Sequence, residues 1–144
     1  MKLQPKEATN MSFKPKVGII SCSGEDCTGG NISREATLKA LHELRSNETV
    51  TICLPLFLAG DEGERSFAKT FPTITVDGCN KLCAAISTAR FSSDPSVKIN
   101  VDDYAECISL NPKEKWRIGE SVAVVEQIAE EIARQVDRLR EEWE

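Results

Sequence analysis

The chain has 144 residues and a net charge of −5, with 40% hydrophobic residues, 28% charged residues and six cysteines. This composition is that of a folded domain with a core of its own, and the acidic balance argues against a nucleic-acid partner, which needs a basic surface. The longest apolar runs are too short to cross a bilayer, and residues 1–16 lack the apolar stretch of a secretory signal. We therefore expect a cytoplasmic protein with no membrane association.

Short apolar or β-branched runs alternate with amphipathic segments after a polar stretch at the amino terminus. We expect a flexible tail over residues 1–15 and one domain over residues 16–144. Strands are predicted at residues 17–21, 50–54, 72–78 and 96–103, the last at an edge, and helices at 31–46, within 60–71, at 79–91 and from about 117 onward. Asn31 and Asp61 are the predicted caps of the first two helices.

This alternation indicates the fold class. Successive strand–helix–strand units with right-handed crossovers build a mainly parallel sheet with helices on its faces. We predict an α/β fold with a single, mainly parallel four-stranded sheet flanked by helices, of Rossmann or flavodoxin-like type, and a long C-terminal helix. In such folds, ligands and reactive groups collect at the carboxyl ends of the strands.

The cysteines favour that edge of the predicted sheet. Cys22 follows the first strand, Cys53 closes the second and Cys79 follows the third. If the first strand lies between the second and third, these three sulfurs can meet over its tip at the separation that a tetrahedral zinc site requires. Cys83 lies four residues after Cys79, so on a helix the two share a face and a fourth sulfur joins the set. The pattern predicts a metal site.

Other functions of the cysteines stay open. Without an export signal, metal ligands or reactive thiols are favoured over disulfides, and buried free cysteines are the simplest alternative. In a thiol redox protein, Cys79 would be the attacking thiolate and Cys83 or Cys22 would resolve it. A zinc-dependent enzyme would keep an open metal position, with Asp77 or Glu25 as base. Four thiolates also suit an iron–sulfur cluster.

The loop "SCSGEDCTGG" at residues 21–30 does not match the common phosphate-binding loops. Its glycines lack the G-x-G-x-x-G spacing of a dinucleotide-binding turn, and no Gly-Lys-Ser/Thr of a Walker loop follows. Glu25 and Asp26 would repel a phosphate, so the loop suits a cation better. His42, the single histidine, lies within a predicted helix, which argues against a thiol–imidazole catalytic pair.

Three motifs together resemble the DGC-domain family: "CSG" after the first strand, "CLPL" after the second and "DGCNKLCA" after the third. The family is named for the Asp-Gly-Cys motif, matched here by Asp77, Gly78 and Cys79, and the resemblance covers about residues 17–103. It implies that cysteines bind Zn²⁺, and it implies no reaction and no substrate. By this resemblance the metal ligands are Cys22, Cys53, Cys79 and Cys83.

Four residues around these motifs need separate interpretations. Cys27 is close enough to Cys22 in the loop to replace it or to add a fifth ligand. Cys107 follows the matched region, and its role stays open between core residue, distant ligand and redox partner. Gly78 lets the chain turn sharply before the next helix. Asp77 is expected to accept hydrogen bonds from backbone amides there, with support of a metal ligand as the alternative.

The last predicted helix carries an unbroken apolar seam. Its members recur at alternating spacings of four and three: Ile118, Val122, Val125, Ala129, Ile132, Val136, Leu139 and Trp143. Such a seam is typical of an amphipathic helix that covers the core of its own chain. The same pattern also allows this helix to pair with its counterpart in a second copy of the chain. A homo-oligomer formed through this helix is therefore the second alternative.

Overall fold

The four strands form one parallel sheet. A computed structural model describes residues 14–25, 27–104 and 118–143, so Cys107 and nearly all of the predicted tail lie outside the described residues. The strands are β1 (Val17–Ser21), β2 (Thr49–Thr51), β3 (Thr73–Asp77) and β4 (Val97–Asn100), in the order β2-β1-β3-β4. Every pairing is parallel. The predicted α/β class is confirmed, with β1 between β2 and β3 and with β4 at an edge.

Helices connect the strands and follow the last of them. Their bounds are α1 (Thr28–Lys39), α2 (Leu54–Leu58), α3 (Glu62–Arg65), α4 (Phe67–Thr70), α5 (Cys83–Phe91) and α6 (Ile118–Glu141). A π-helical turn, Ala40–Leu44, extends α1, and a short 3₁₀ turn, Val101–Asp103, follows β4. None of the helices in the described part of the chain combines the length and apolar character needed to cross a bilayer.

Two apolar clusters lie on opposite faces of the sheet, because successive strand residues point to opposite sides. On one face Ile19 and Ile74 pack with residues of α1 and α6. On the other face Ile20 packs with Phe67 of α4 and Ala84 of α5. The helices that follow β1 and β3 therefore cover different faces, although those two strands are neighbours.

Several predicted boundaries near the carboxyl edge are wrong, among them the start of α1 and the ends of β2 and β4. Helix α1 begins at Thr28, and its cap is Cys27, whose sulfur accepts a hydrogen bond from the Gly30 N–H at 3.3 Å. Asn31, the predicted cap, lies inside the first turn, where its side-chain amide donates to the carbonyl of Cys27. Strand β2 ends at Thr51, because the next residues enter α2, which has a proline in its first turn.

The predicted cap at Asp61 is confirmed. Its Oδ2 accepts a hydrogen bond from the Glu64 N–H at 2.9 Å, at the start of α3. This is the side-chain-to-backbone bond that a capping residue three positions earlier supplies. The short helices α2, α3 and α4 together occupy the connection between β2 and β3.

Helix α6 covers the core of its own chain. Ala129, Ile132 and Val136, from the middle of the apolar seam, are completely buried in the cluster formed with β1, β3 and α1. At the ends of the seam, Val122 is 46% exposed and Trp143 is 48% exposed. The covering alternative therefore holds for the middle of the helix, and self-association through its ends stays a prediction.

An ion pair joins α6 to the turn that follows α1. The Arg45 guanidinium donates two parallel hydrogen bonds, each 2.8 Å long, to the carboxylate of Asp137. This two-point geometry is the most specific one for a guanidinium and a carboxylate. It fixes the rotational setting of α6 beside the buried seam.

Truncating one buried and one exposed seam residue tests the packing of α6. Ile132→Ala should lower the free energy of unfolding by about 2–5 kcal/mol, because it removes buried methylene groups and leaves a cavity. Val122→Ala should change it by about 0.5 kcal/mol or less, because that side chain faces solvent. Urea denaturation followed by circular dichroism measures both, and equal losses for the two variants would contradict the described packing.

Replacing Asp137 by asparagine tests the ion pair through its pH dependence. The hydrogen bonds from Arg45 hold the pKa of Asp137 below its usual 3.8, so the pair stabilises the fold above the unfolded-state pKa. That contribution is lost as the pH falls through the lowered folded-state pKa. At neutral pH, Asp137→Asn should cost about 0.5–1 kcal/mol, and the difference from the parent protein should shrink below about pH 4.

Urea denaturation at a series of pH values measures that difference, with Glu130→Gln, an exposed change on the same helix, as the control. If the two proteins differ in free energy of unfolding by the same amount in acid as at neutral pH, the Arg45–Asp137 pair contributes nothing through ionisation.

Candidate functional site

The loops that follow β1 and β3 meet at the carboxyl edge of the sheet. The two strands are hydrogen-bonded neighbours, with Ser21 paired to Val76 at the end of the ladder. Helices α1 and α5, which follow these strands, cover opposite faces of the sheet. In open α/β sheets, ligands bind at the carboxyl edge between two such strands. Three of the predicted ligands, Cys22, Cys79 and Cys83, lie on or just after these two loops.

Cys22 is held between the two loops. Its backbone N–H donates to the carbonyl of Val76 at 3.0 Å, which extends the pairing of β1 with β3 by one residue. Its sulfur accepts a hydrogen bond from the Gly78 N–H at 3.2 Å and lies 3.5 Å from Oγ of Ser33. The side chain is half-buried. The sulfur therefore has one partner from each neighbouring segment, the loop after β3 and helix α1.

Ser33 fastens the loop after β1 to helix α1. Its fully buried hydroxyl donates to the carbonyl of Gly30 at 2.7 Å and accepts from the Ser23 N–H at 3.3 Å. Ser23 has a left-handed backbone, with a φ of 53°, which such a bond helps to hold. Sequence reasoning missed Ser33. The available signal was a pair of small polar residues, Ser33 and Thr37, four apart on the buried side of the helix.

Glycine backbones bring the two loops into direct contact. A β-carbon on Gly78 would collide with the backbone of Gly29 and Gly30 in the first turn of α1, and one on Gly30 would collide with the carbonyl of Gly24. The first turn of α1 is therefore packed against the loop after β3, with no side chain between them. This contact brings the Gly78 N–H within reach of the Cys22 sulfur.

Asp77 determines where helix α5 begins. Its carboxylate is 1% exposed and accepts hydrogen bonds from the Ala84 N–H at 2.7 Å and the Ala85 N–H at 3.1 Å. The predicted role of Asp77 as an acceptor of backbone amides is confirmed. Burial raises the pKa of this carboxyl, and the two amide hydrogen bonds oppose that change.

The predicted helical register of Cys79 and Cys83 is wrong. Helix α5 begins at Cys83, and Cys79 lies in the turn before it, where its carbonyl accepts from the Leu82 N–H at 3.3 Å. Leu82 has a left-handed φ of 55°, which interrupts any helix from Cys79 onward. The two cysteines are therefore not on one helix face. The remote cap from Asp77 places the helix start four residues later than the sequence pattern indicates.

Negative charge gathers around Cys83. Partial desolvation raises the pKa of its thiol, and the charges of Asp77, Cys22 and Cys79 raise it further. These four groups are thus close enough to interact electrostatically, although Cys83 itself is exposed. Without a cation among them, Cys83 holds its proton more tightly than an isolated cysteine does.

The other two predicted candidates lie in different settings. Cys53 is exposed and precedes α2, just after β2, on the far side of β1 from Cys79. Cys27 is half-buried and uses its sulfur to cap α1. In the described part of the chain, no three His, Cys, Asp or Glu side chains are arranged closely enough to hold a metal ion. The donors nevertheless match a soft cation by type, since thiolates are preferred ligands of zinc.

Comparisons with known proteins find one match over most of the chain. A family model described as the DGC domain matches residues 18–136. This range contains both loops at the carboxyl edge of the sheet where Cys22, Cys79 and Cys83 lie, which we call the cysteine edge. It also contains α5 and most of α6. No curated protein and no solved structure matches the chain.

Adding a methyl group at Gly78 tests the backbone contact between the loops. Gly78→Ala should lower the free energy of unfolding by about 3 kcal/mol, the upper part of the usual range for overpacking, because the obstructing atoms belong to the backbone. Gly63→Ala, whose β-carbon would meet only the side-chain oxygen Oδ2 of Asp61 at 3.2 Å, should change the free energy of unfolding by about 1 kcal/mol or less in either direction. Thermal denaturation compares the two, and similar stabilities would contradict the contact.

Proposed function

The chain belongs to the DGC-domain family, and we propose that it is a cytoplasmic zinc-binding protein whose cysteine thiolates hold the metal at the carboxyl edge of the sheet. The observation that carries this proposal is the convergence of Cys22, Cys79 and Cys83 on two loops that touch. Cys22 lies 57 residues before Cys79 in the sequence, so the fold and not the local sequence brings their two loops into contact.

The electrostatics of the edge support a cation. The charges of Asp77, Cys22 and Cys79 all act on Cys83 and, together with its partial burial, raise the pKa of that thiol. A divalent cation reverses this effect, because it favours the thiolate form of every ligand. An anionic ligand would instead add to the negative charge already present.

The surroundings of the sulfurs support thiolate ligands. The Gly78 N–H points at the Cys22 sulfur, and the Gly30 N–H points at the Cys27 sulfur. Hydrogen bonds of this kind orient a ligand and stabilise its charged form. Zinc binding then requires the side chains of Cys79 and Cys83 to rotate about their Cα–Cβ bonds toward Cys22, which the half-buried position of Cys79 and the exposed position of Cys83 permit.

The fourth ligand is Cys53 in this proposal. It leaves β2, the other neighbour of β1, and is exposed at the same edge. Cys27 is the alternative, but its sulfur is already engaged as the cap of α1. A closed set of four thiolates leaves no position for substrate, and bound zinc then contributes to the stability of the fold.

The state of the thiols supports the cytoplasmic part of the proposal. The five cysteines that the structure describes are all free. A reducing compartment keeps such thiols available to a metal, whereas an oxidising one drives exposed cysteines toward disulfides.

Metal analysis of protein purified without a metal-binding tag tests the proposal. The parent protein should contain about one equivalent of zinc, as expected for one tetrahedral site. Cys22→Ser, Cys79→Ser and Cys83→Ser should each weaken zinc binding by more than the roughly 10–100-fold that loss of a supporting residue costs. Competition with a chromophoric chelator measures the affinities.

Two further variants identify the fourth ligand and serve as controls for each other. Cys53→Ser should weaken binding as strongly as the other three. Cys27→Ser should leave binding unchanged, since serine is a favourable cap and preserves the start of α1. Iron with acid-labile sulfide in place of zinc would overturn the proposal in favour of a cluster. Metal-free protein whose thiol count falls on mild oxidation would overturn it in favour of redox function.

A further inference from the structure

We propose that Asp77 and Gly78 act together as the positioning element of the cysteine edge, the carboxylate fixing Cys83 and the glycine amide fixing Cys22. This inference rests on the proposed function, because it concerns how the sulfurs of the proposed zinc site are positioned relative to one another. Neither residue is a metal ligand in this account. Each acts through a cysteine.

The carboxylate of Asp77 acts on the backbone around Cys83. It accepts from the N–H groups of Ala84 and Ala85, the two residues that follow Cys83, and it is 1% exposed. On the preceding side, Leu82 is held in the left-handed conformation. Cys83 therefore lies between a fixed turn and two tethered amides, so the direction of its Cα–Cβ bond is set by Asp77.

The amide of Gly78 acts on the side chain of Cys22. Its N–H donates to the sulfur at 3.2 Å, and the close contact of Gly78 with Gly29 and Gly30 keeps that N–H in place. Asp77 and Gly78 are consecutive, so a shift of either residue moves both. The dipeptide Asp77-Gly78 thus sets the positions of the Cys22 and Cys83 sulfurs relative to each other. Cys79 is the next residue in the chain.

The interaction requires a carboxylate of this length. Asparagine offers one acceptor oxygen and one N–H₂ group, so one of the two helix amides would face another donor. Because the site is buried, water cannot replace the missing acceptor. Glutamate keeps the charge and both oxygens but displaces them by one methylene. Both changes should release the start of α5.

The first experiment measures sulfur proximity in the metal-free protein. A short bis-alkylating reagent should bridge Cys22 and Cys83 in the parent, as identified by peptide mass mapping. Asp77→Asn should lower the yield of this bridge about fivefold or more, the effect of leaving one buried amide unpaired. Asp61→Asn, the same substitution at a cap that needs only one acceptor oxygen, should leave the yield unchanged.

The second experiment measures the metal site itself. Asp77→Asn should weaken zinc binding about 10–100-fold, as for other residues that orient a ligand. In the cobalt-substituted protein, Asp77→Asn should also reduce the sulfur-to-cobalt charge-transfer absorption. A purely global loss of stability would leave this absorption unchanged in the molecules that remain folded and bind cobalt. Asp61→Asn should leave the affinity and the spectrum at parent values.

The outcomes separate this inference from the proposed function. If the parent binds no zinc but its cross-link depends on Asp77, the positioning inference stands and the proposed function fails. If zinc binds and Asp77→Asn matches the parent in cross-link yield and affinity, the positioning inference is overturned alone. Absence of the bridge in the parent, or an equal loss in Asp61→Asn, also overturns it. Should Asp77→Asn not fold, Asp77→Glu is measured in its place, with the same expected losses.

Discussion

The direct backbone contact between Gly78 and the first turn of α1 is the constraint on which the cysteine edge depends. With no β-carbon between them, the loop after β3 approaches closely enough for its amide to reach the sulfur of Cys22. Asp77 immediately precedes this contact, so its carboxylate is buried over the first amides of α5. The arrangement of the cysteines follows from packed glycines and one buried acid rather than from the cysteines themselves.

This arrangement places groups together that repel one another when ionised. Burial raises the pKa of Asp77, and that carboxyl, with Cys22 and Cys79, contributes to the raised pKa of Cys83. A fold selected for stability alone has little reason to bring such groups to one edge, and local conflicts of this kind are typical of functional sites. In the function that we propose, a bound cation would convert this repulsion into attraction.

Sequence patterns predicted the elements of the site better than their detailed geometry. The strand-end positions of Cys22 and Cys79 and the amide-binding role of Asp77 could be inferred, whereas the order of the central strands entered the prediction only as a condition. The starts of α1 and α5 could not be inferred. Helix α5 is capped by Asp77 from outside the usual capping position, and the first turn of α1 is in close backbone contact with Gly78. Ser33 was missed because its pairing with Thr37 on the buried side of the helix does not indicate that its hydroxyl binds the loop at Ser23.

The sequence by itself determined the class of the protein: alternating strands and helices, a cysteine-rich edge and an amphipathic last helix. Those features are encoded in periodicity and in residue type, which act over a few neighbouring positions. Tertiary structure alone decided that Cys83 rather than Cys79 begins α5, that Cys27 caps α1, and that the seam of α6 faces its own core. The seam packs against segments far apart in the chain, and the two helix starts depend on hydrogen bonds to Cys27 and Asp77 that hydrophobic periodicity does not encode.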